Sequence, residues 1–208
     1  MRITMNDFDD KAKQWDQNRM HLERTKAVAL EILERIPLNS SMKALEFGAG
    51  TGLLSFFLKE HFAEITLLDT SAEMLKMAQT KLAAEDHGKI TTLFFDLEKD
   101  EYTGECLDII FTQMVLHHVV NVPEILARFY RMLKPGGFIA IADLCSEDGS
   151  FHGPGVDVHH GFDPAGLCEK LEGLGFVQSV SGQCFVISKE TAEGTARKYP
   201  VFLITAKK

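Results

Sequence analysis

The sequence predicts an α/β domain, in which a mostly parallel sheet is covered by helices on both faces. Two observations indicate this class: short apolar runs alternate with segments of helical spacing, and the first apolar run ends directly in a glycine-rich turn. Such alternation is typical of parallel strands that are joined by helical crossovers. The length of 208 residues suits one domain, because a chain of this size buries a single substantial core.

The hydrophobic periodicity places the elements in a regular order along the chain. Residues 20–36 have helical spacing and Pro37 ends that helix, so residues 1–37 are expected to form an N-terminal helical cap. The predicted strands cover residues 43–47, 64–68, 90–95, 107–112, 137–142, 176–187 and 200–206. The predicted helices between them cover residues 52–60, 71–85, 122–132 and 164–173.

Cap and turn residues support these boundaries. Ser71 suits the N-cap of the helix 71–85. The run Lys134-Pro135-Gly136-Gly137 is expected to end the helix 122–132 before the next strand begins. Residues 144–162 then change in composition, with many glycine and polar residues. Loops of this length often close over ligands, so we predict a substrate loop there.

The composition disfavours nucleic-acid, membrane and secreted classes. The formal net charge is −8 and no run of lysine or arginine is present, whereas proteins that follow a phosphate backbone carry a basic patch. Four cysteines lie far apart without a C-x-x-C pair, which favours reduced thiols. The N-terminus is polar and no window reaches membrane-spanning length. We expect a cytoplasmic monomer or homodimer that acts on a small molecule, without nucleic acid.

The glycine-rich turn predicts a pocket of nucleotide type. Glu46 stands at the end of the first strand, and the turn then alternates Gly48, Ala49, Gly50 and Gly52 in a G-x-G-x-G pattern. A dinucleotide site normally spaces its glycines G-x-G-x-x-G and binds a pyrophosphate. The Glu46 carboxylate would repel a pyrophosphate but attract a ligand that carries an ammonium and a sulfonium. S-adenosylmethionine carries both groups.

The ends of the next three strands supply polar residues that suit the same ligand. In an open α/β sheet, ligands bind beyond the carboxyl ends of the strands. Asp69 follows Glu46 by 23 positions, near the spacing at which an acid contacts ribose hydroxyls. Asp96 can accept the adenine amine while a flanking backbone N–H bonds a ring nitrogen. The candidate cofactor contacts at these strand ends are Asp69, Thr70, Asp96, Leu97, Gln113 and Met114.

Together these motifs resemble the class I S-adenosylmethionine-dependent methyltransferases, over about residues 44–143. The resemblance implies a Rossmann-like seven-stranded sheet of order 3-2-1-4-5-7-6, with the last strand antiparallel. It implies transfer of the methyl group of S-adenosylmethionine to a small-molecule acceptor, with S-adenosylhomocysteine as product. It also suggests that Trp15 helps to close the cofactor site. Met74 lies one turn into the predicted helix 71–85 and can offer an apolar face to the adenine. Both side chains have an alternative role in core packing.

Five histidines follow the strands that should face the acceptor: His117, His118, His152, His159 and His160. A histidine can remove the acceptor proton during methyl transfer, and we select His160 and His117 for this role. A metal site is disfavoured, because none of these five histidines takes part in an H-x-x-x-H or H-x-x-E spacing, so no metal ligand is predicted. A third possibility is that these side chains are solvated and have no role in the reaction.

Two other functions compete with methyl transfer. An NAD(P)-dependent oxidoreductase is disfavoured by the glycine spacing, by Glu46 and by the lack of a Tyr-x-x-x-Lys pair near the substrate loops. A non-catalytic regulatory subunit that binds S-adenosylmethionine is compatible with the sequence. Among methyltransferases, those that modify amino groups of nucleic acids are disfavoured, since residues 112–115 lack an Asn/Asp-Pro-Pro-aromatic box.

Overall fold

The computed structural model describes residues 12–85, 88–190 and 196–208, so the first 11 residues of the expected cap lie outside it. The strands are β1 Lys43–Phe47, β2 Glu64–Asp69, β3 Ile90–Phe94, β4 Leu107–Gln113, β5 Leu133–Leu144, β6 Val177–Glu190 and β7 Ala196–Lys207. The α-helices are α1 Arg19–Arg35, α2 Leu53–Leu58, α3 Ala72–Glu85, α4 Val122–Met132 and α5 Pro164–Gly173. Short 3-10 helices cover Ala12–Gln17, Lys59–His61 and Leu116–His118.

The strands form one seven-stranded sheet in the order β3-β2-β1-β4-β5-β7-β6, which confirms the predicted order. Strands β1 to β5 pair in parallel, and β7 runs antiparallel to both β5 and β6. At the carboxyl end of β1, Phe47 pairs with Leu68 of β2 and with Thr112 of β4. The residues that follow these three strands therefore meet at one edge of the sheet.

Helices cover both faces of the sheet, as predicted. Alternate residues of a strand point to opposite faces, and in β4 the side chain of Ile110 packs with α4 and α5 while Ile109 and Phe111 pack with α1, α2 and α3. The central strands are buried on both sides, which explains their nearly continuous apolar sequences. None of the helices in the described ranges is long and apolar enough to cross a membrane.

The boundaries of the elements follow local chemistry where a side chain caps a helix. Ser71 accepts a hydrogen bond from the backbone N–H of Met74 at 3.2 Å, which confirms its predicted role as an N-cap. The prediction for β5 was too short at both ends. Leu133 pairs with Leu107 directly after α4 ends. The run 134–137 is therefore an irregularity within the pairing of β4 with β5, and not a turn that precedes β5. Gly136 adopts a φ of 81° there.

Candidate active site

The backbone of the glycine turn can be built only with glycine. Gly48, Gly50 and Gly52 adopt φ values of 64°, 55° and 76°, in the left-handed region that is costly for other residues. A Cβ atom on Gly48 would lie 2.5 Å from the Cγ atoms of Val115. The N–H of Ala49 donates to the carbonyl of Leu68 at 3.0 Å. The turn is thus held against the ends of both β2 and β4.

Asp69 connects this turn to the start of α3. Its Oδ2 accepts a hydrogen bond from the N–H of Gly50 at 2.6 Å, and its Oδ1 accepts one from Ser71 at 2.8 Å. Thr70 forms the half-buried bend between β2 and α3. Met74 is 2% exposed, and its Sδ lies 3.8 Å from the position of a Cβ on Gly50. The structure therefore brings Asp69, Thr70 and Met74 to the glycine turn, and their cofactor contacts stay predictions.

Glu46 faces α2 and is buried. Its Oε2 accepts hydrogen bonds from the Ser55 hydroxyl at 2.5 Å and the Ser55 N–H at 3.1 Å. Burial raises the pKa of Glu46 to about 8, against the opposing effect of the bonds from Ser55. The carboxyl group is thus mostly protonated at neutral pH. The predicted attraction of Glu46 to a cationic cofactor requires the charged form, and it stays a prediction.

Asp96, the acid after β3, is half-buried. Oδ1 of Asp96 accepts from the N–H of Glu98 at 3.0 Å, and Oδ2 lies 2.7 Å from Nζ of Lys99. The neighbouring Leu97 is 1% exposed and its side chain belongs to the core. The backbone of Leu97 is the part that is predicted to contact the adenine. The adenine contact of this pair stays a prediction.

The segment before α1 is anchored to the glycine turn. Oδ1 of Asp16 accepts from the hydroxyl of Thr51 at 2.5 Å, and Oδ2 accepts from Nζ of Lys81 at 2.7 Å. These bonds hold the 3-10 helix Ala12–Gln17 beside the turn and α3. Trp15, in the same helix, packs its ring against His21 at a centroid distance of 4.3 Å. Asp16 was missed by sequence reasoning, because its partners lie 35 and 65 positions away.

Helix α1 carries two buried polar residues, of which Thr25 contacts the end of β4. Nε2 of Gln113 donates to the hydroxyl of Thr25 at 2.9 Å, while Oε1 of Gln113 is buried without a hydrogen-bond partner among the described residues. Arg24 is 4% exposed, and its Nε likewise has no such partner. Burial lowers the pKa of Arg24 to about 10 although Asp143 opposes the shift. Arg24 is thus a buried cation, and helical spacing in the sequence does not reveal it.

Met114, directly after β4, has an unusual backbone conformation. Its φ is 58°, and its N–H donates to the carbonyl of Ala142 at 2.8 Å. A positive φ is rare for a residue with a long side chain and often marks a functional site. The conformation turns the chain from β4 into the 3-10 helix Leu116–His118. The predicted contact of Met114 with the cofactor is compatible with this position.

The buried pair His117 and Asp143 lies on the acceptor side. His117 is 1% exposed, and its Nδ1–H donates to Oδ1 of Asp143 at 2.6 Å. Burial alone would raise the pKa of Asp143, but His117 and the backbone N–H groups of Leu144 and His117 hold it below its usual range. Asp143 is therefore ionised, and it fixes the orientation of the His117 ring.

The five histidines do not all converge. Ring centroids of His118 and His152 lie 4.1 and 5.1 Å from that of His117, so two loops contribute to one cluster. His160 is exposed, and its ring lies against Gly149. Nε2 of His159 is 3.0 Å from the carbonyl oxygen of Val119. Sequence reasoning selected His117 and His160, whereas the structure brings His118 and His152 to His117.

The order of the strands, the glycine turn and the acids at the strand ends are typical of one class of protein. This class is the Rossmann-like domains with methyltransferase topology. Residues 45–141 match the family model described as "Methyltransferase domain". Over this range, which is just under half of the chain, the protein is similar to the class I S-adenosylmethionine-dependent methyltransferases. The comparisons give no support to the oxidoreductase or to the regulatory subunit.

Two curated relatives share the central part of the chain. Malonyl-[acyl-carrier protein] O-methyltransferase from Pectobacterium atrosepticum is 34% identical over 129 residues, which cover 62% of this chain and 47% of the relative. Phosphoethanolamine N-methyltransferase 3 from Arabidopsis thaliana is 30% identical over 125 residues, which cover 60% of this chain and 24% of the relative. The chain thus spans half or less of the length of these relatives.

A solved structure supports the fold over nearly the whole chain. Phosphoethanolamine N-methyltransferase 2 from Haemonchus contortus, in complex with phosphomonomethylethanolamine and S-adenosylhomocysteine, aligns with a TM-score of 0.72 at 16% identity. The alignment covers 99% of this chain and 60% of that one. At this identity the likeness concerns the fold alone.

The clash at Gly48 generates a stability prediction. Gly48→Ala and Gly153→Ala both place alanine at a positive φ, 64° and 86°, but nothing lies within 4 Å of a Cβ on Gly153. We expect Gly48→Ala to cost roughly 1–3 kcal/mol more than Gly153→Ala, because only its Cβ must displace Val115. Urea unfolding of both variants measures the difference. Equal losses would show that backbone strain alone requires glycine at position 48.

The raised pKa of Glu46 predicts a pH-dependent stability. Between the ordinary pKa of 4.5 and the folded value of about 8, the folded state retains a proton that the unfolded state releases. The wild type should therefore lose up to about 1.4 kcal/mol of stability per pH unit through this group as pH rises. The Glu46→Gln side chain cannot ionise. The thermal midpoint of this variant, minus that of the wild type, should therefore increase from pH 5 to pH 8. A constant difference across this range would contradict the prediction.

Proposed function

We propose that this protein transfers the methyl group of S-adenosylmethionine to a small-molecule acceptor and releases S-adenosylhomocysteine. The observation that carries the proposal is the meeting of the glycine turn with Asp69 at one edge of the sheet, where Gly50 donates to the Asp69 carboxylate at 2.6 Å. The similarity to the methyltransferase family supports the same reaction. The names of two relatives, acting on malonyl-[acyl-carrier protein] and phosphoethanolamine, also describe methyl transfer.

The nucleoside part of the cofactor is assigned to the β1, β2 and β3 ends. Asp69 accepts bonds from both ribose hydroxyls, and Asp96 with the backbone of Leu97 contacts the adenine. Met74 packs against the adenine from α3, since its Sδ already lies near Gly50. Trp15 closes the pocket from the anchored N-terminal segment. The positive φ values of the turn support this assignment, because they allow the ligand to approach the backbone closely.

The methionine part is assigned to the end of β4 and to α1. The Arg24 guanidinium binds the carboxylate, and Oε1 of Gln113 accepts from the ammonium. The support is that Nε of Arg24 and Oε1 of Gln113 are both buried without a hydrogen-bond partner in the described chain. A buried polar atom without a partner is costly. A ligand with both a carboxylate and an ammonium satisfies the two atoms together.

The acceptor is assigned to the space between the 3-10 helix Leu116–His118 and the substrate loop 144–162. The loop is held at its base, because Ser146 donates to the carbonyl of Phe162 and Glu147 to that of His160, both at 2.9 Å. His159 donates from its backbone to the carbonyl of His117 at 2.9 Å. Of the two histidines predicted to accept a proton, the geometry favours His117 over His160, since His117 is oriented by Asp143.

Methyl transfer depends more on the positioning of the acceptor and the methyl group than on acid–base chemistry. The acceptor lone pair forms a bond to the methyl carbon as the carbon–sulfur bond breaks, and that electron pair returns to sulfur, which becomes a neutral thioether. The sulfonium is already activated, so alignment in a site shielded from water supplies much of the rate increase. The buried walls of β4 and β5 provide such a site.

The domain organisation, the cellular location and the assembly state are inferred from composition. We infer that residues 1–208 form one domain, with 1–37 as the cap, that it acts in the cytoplasm as a monomer or homodimer, and that it does not bind nucleic acid. The support is a net charge of −8 and four free cysteines in the described chain. Turnover of a radiolabelled methyl group from S-adenosylmethionine into a metabolite extract tests the activity. Cofactor binding without any turnover would favour a regulatory subunit.

The role of Asp69 predicts a loss of affinity for any ligand with the cofactor's ribose. Asp69→Asn should weaken the binding of both S-adenosylhomocysteine and 5′-methylthioadenosine by about ten-fold or more, because a charged hydrogen-bond pair is lost. Calorimetry measures both affinities. Asp100→Asn, which changes an exposed aspartate after β3, serves as the control. Unchanged affinity in the Asp69 variant would remove this residue from the site.

The role of Arg24 predicts a selective loss. Arg24→Met should weaken S-adenosylhomocysteine binding by about ten-fold or more but leave 5′-methylthioadenosine binding nearly unchanged, because the second ligand has no carboxylate. The same calorimetric titrations give both numbers, and the comparison separates a local effect from general unfolding. An equal loss for both ligands would argue that Arg24 supports the fold and does not bind the carboxylate.

A further inference from the structure

The three-histidine cluster has the composition of a metal site. His117, His118 and His152 each offer a ring nitrogen, and these atoms all lie within 4.8 Å of one another. We propose that the three imidazoles bind one divalent first-row transition-metal ion of the Zn²⁺ type, on the acceptor side of the cofactor pocket. This departs from the expectation drawn from the sequence, which predicted no metal ligand.

The ring geometry supports convergence on one point. Two nitrogens that bind the same tetrahedral zinc at about 2.0–2.1 Å lie about 3.3 Å apart, so the observed spread requires only small side-chain movements. The ring of His118 is inclined by 44° to that of His117 and by 70° to that of His152. Rings in a flat stack would direct their nitrogens apart. Inclined rings from two segments can surround an ion.

Asp143 supplies the outer contact that metal-binding histidines usually have. A histidine ligand commonly donates its second ring N–H to a carboxylate, which fixes the tautomer and makes the other nitrogen a better donor. Nδ1 of His117 makes this bond to the buried Asp143 at 2.6 Å. Nε2 is therefore the nitrogen that His117 directs to the ion, and the Asp143 charge offsets part of the charge of the cation.

The two segments that carry the ligands are tied together. The 3-10 helix Leu116–His118 supplies two imidazoles and the substrate loop supplies the third. His159 links them twice, by its backbone bond to the carbonyl of His117 and by its ring contact with the carbonyl of Val119. The cluster thus does not depend on the position of a freely moving loop. Such restraint reduces the entropy that metal binding must overcome.

Three protein ligands leave at least one coordination position for another molecule, as in catalytic zinc sites. If the methyltransferase proposal is correct, a lone-pair donor of the acceptor, such as a thiol or a hydroxyl, occupies that position. A nitrogen that binds an ion cannot also accept a proton. His117 is then a metal ligand. Coordination would lower the pKa of a bound thiol or hydroxyl, so that its proton passes to bulk water before methyl transfer.

Titration with Co²⁺ tests the site directly. Protein without a histidine tag, freed of metal with a chelator, should bind one Co²⁺ per chain and develop visible ligand-field absorption. His118→Ala and His152→Ala should each weaken the affinity by about ten-fold or more. His160→Ala changes an exposed histidine of the same loop and should bind Co²⁺ as the wild type does. Zn²⁺ should displace Co²⁺ and raise the thermal midpoint of the wild type but not of His118→Ala.

The variant Asp143→Asn tests whether Asp143 positions the His117 ring for metal binding. Its cobalt affinity should fall by about 10–100-fold with the three ligands intact. Absence of Co²⁺ binding by the wild type, or equal affinity in the wild type and both ligand variants, would overturn the proposal and leave the cluster as packed rings without an ion. Binding of S-adenosylhomocysteine by the metal-free protein is measured separately, so failure of the metal site is distinguishable from failure of the proposed reaction.

Discussion

The missing side chain at Gly48 is the constraint on which the site depends. A Cβ there would lie 2.5 Å from Val115, so only glycine lets the turn after β1 lie against the segment after β4. The hydroxyl of Thr112 reinforces the contact by donating to the carbonyl of Phe47 at 2.8 Å. Because these two chain segments touch, the cofactor pocket and the acceptor side become parts of one site. Catalysis by proximity requires this arrangement.

A second constraint is the buried charge of Asp143. A carboxylate at 0% exposure is costly unless its oxygens are bonded. The ring and backbone of His117 and the N–H of Leu144 supply those bonds, at 2.6, 3.2 and 2.7 Å. The same bonds restrict His117 to one orientation. The charge thus determines which ring nitrogen of His117 is held by the carboxylate and which is left for another contact.

Much of the fold could be predicted because its signals are local. The cap at Ser71 depends on a partner three residues away, and the glycine turn on its own φ values. The boundary of β5 was misjudged, because Leu133 joins the sheet through pairing with Leu107, a residue far away in sequence. The protonation of Glu46 also depends on the tertiary structure. The sequence shows an acid at a strand end, but its raised pKa results from burial, which outweighs the opposing bonds from Ser55.

The sequence by itself indicated the alternation of strands and helices and the polar residues at the strand ends, since periodicity, glycine spacing and strand-ending acids act over a few residues. The strand order followed from the resemblance to the class I methyltransferases. Tertiary structure alone decided the chemistry beside those strand ends. It brought Thr25 to Gln113 across 88 positions, buried Arg24, and placed His152 rather than His160 beside His117. Such contacts depend on how helices and loops pack onto the sheet, and no local pattern of residue types specifies that packing.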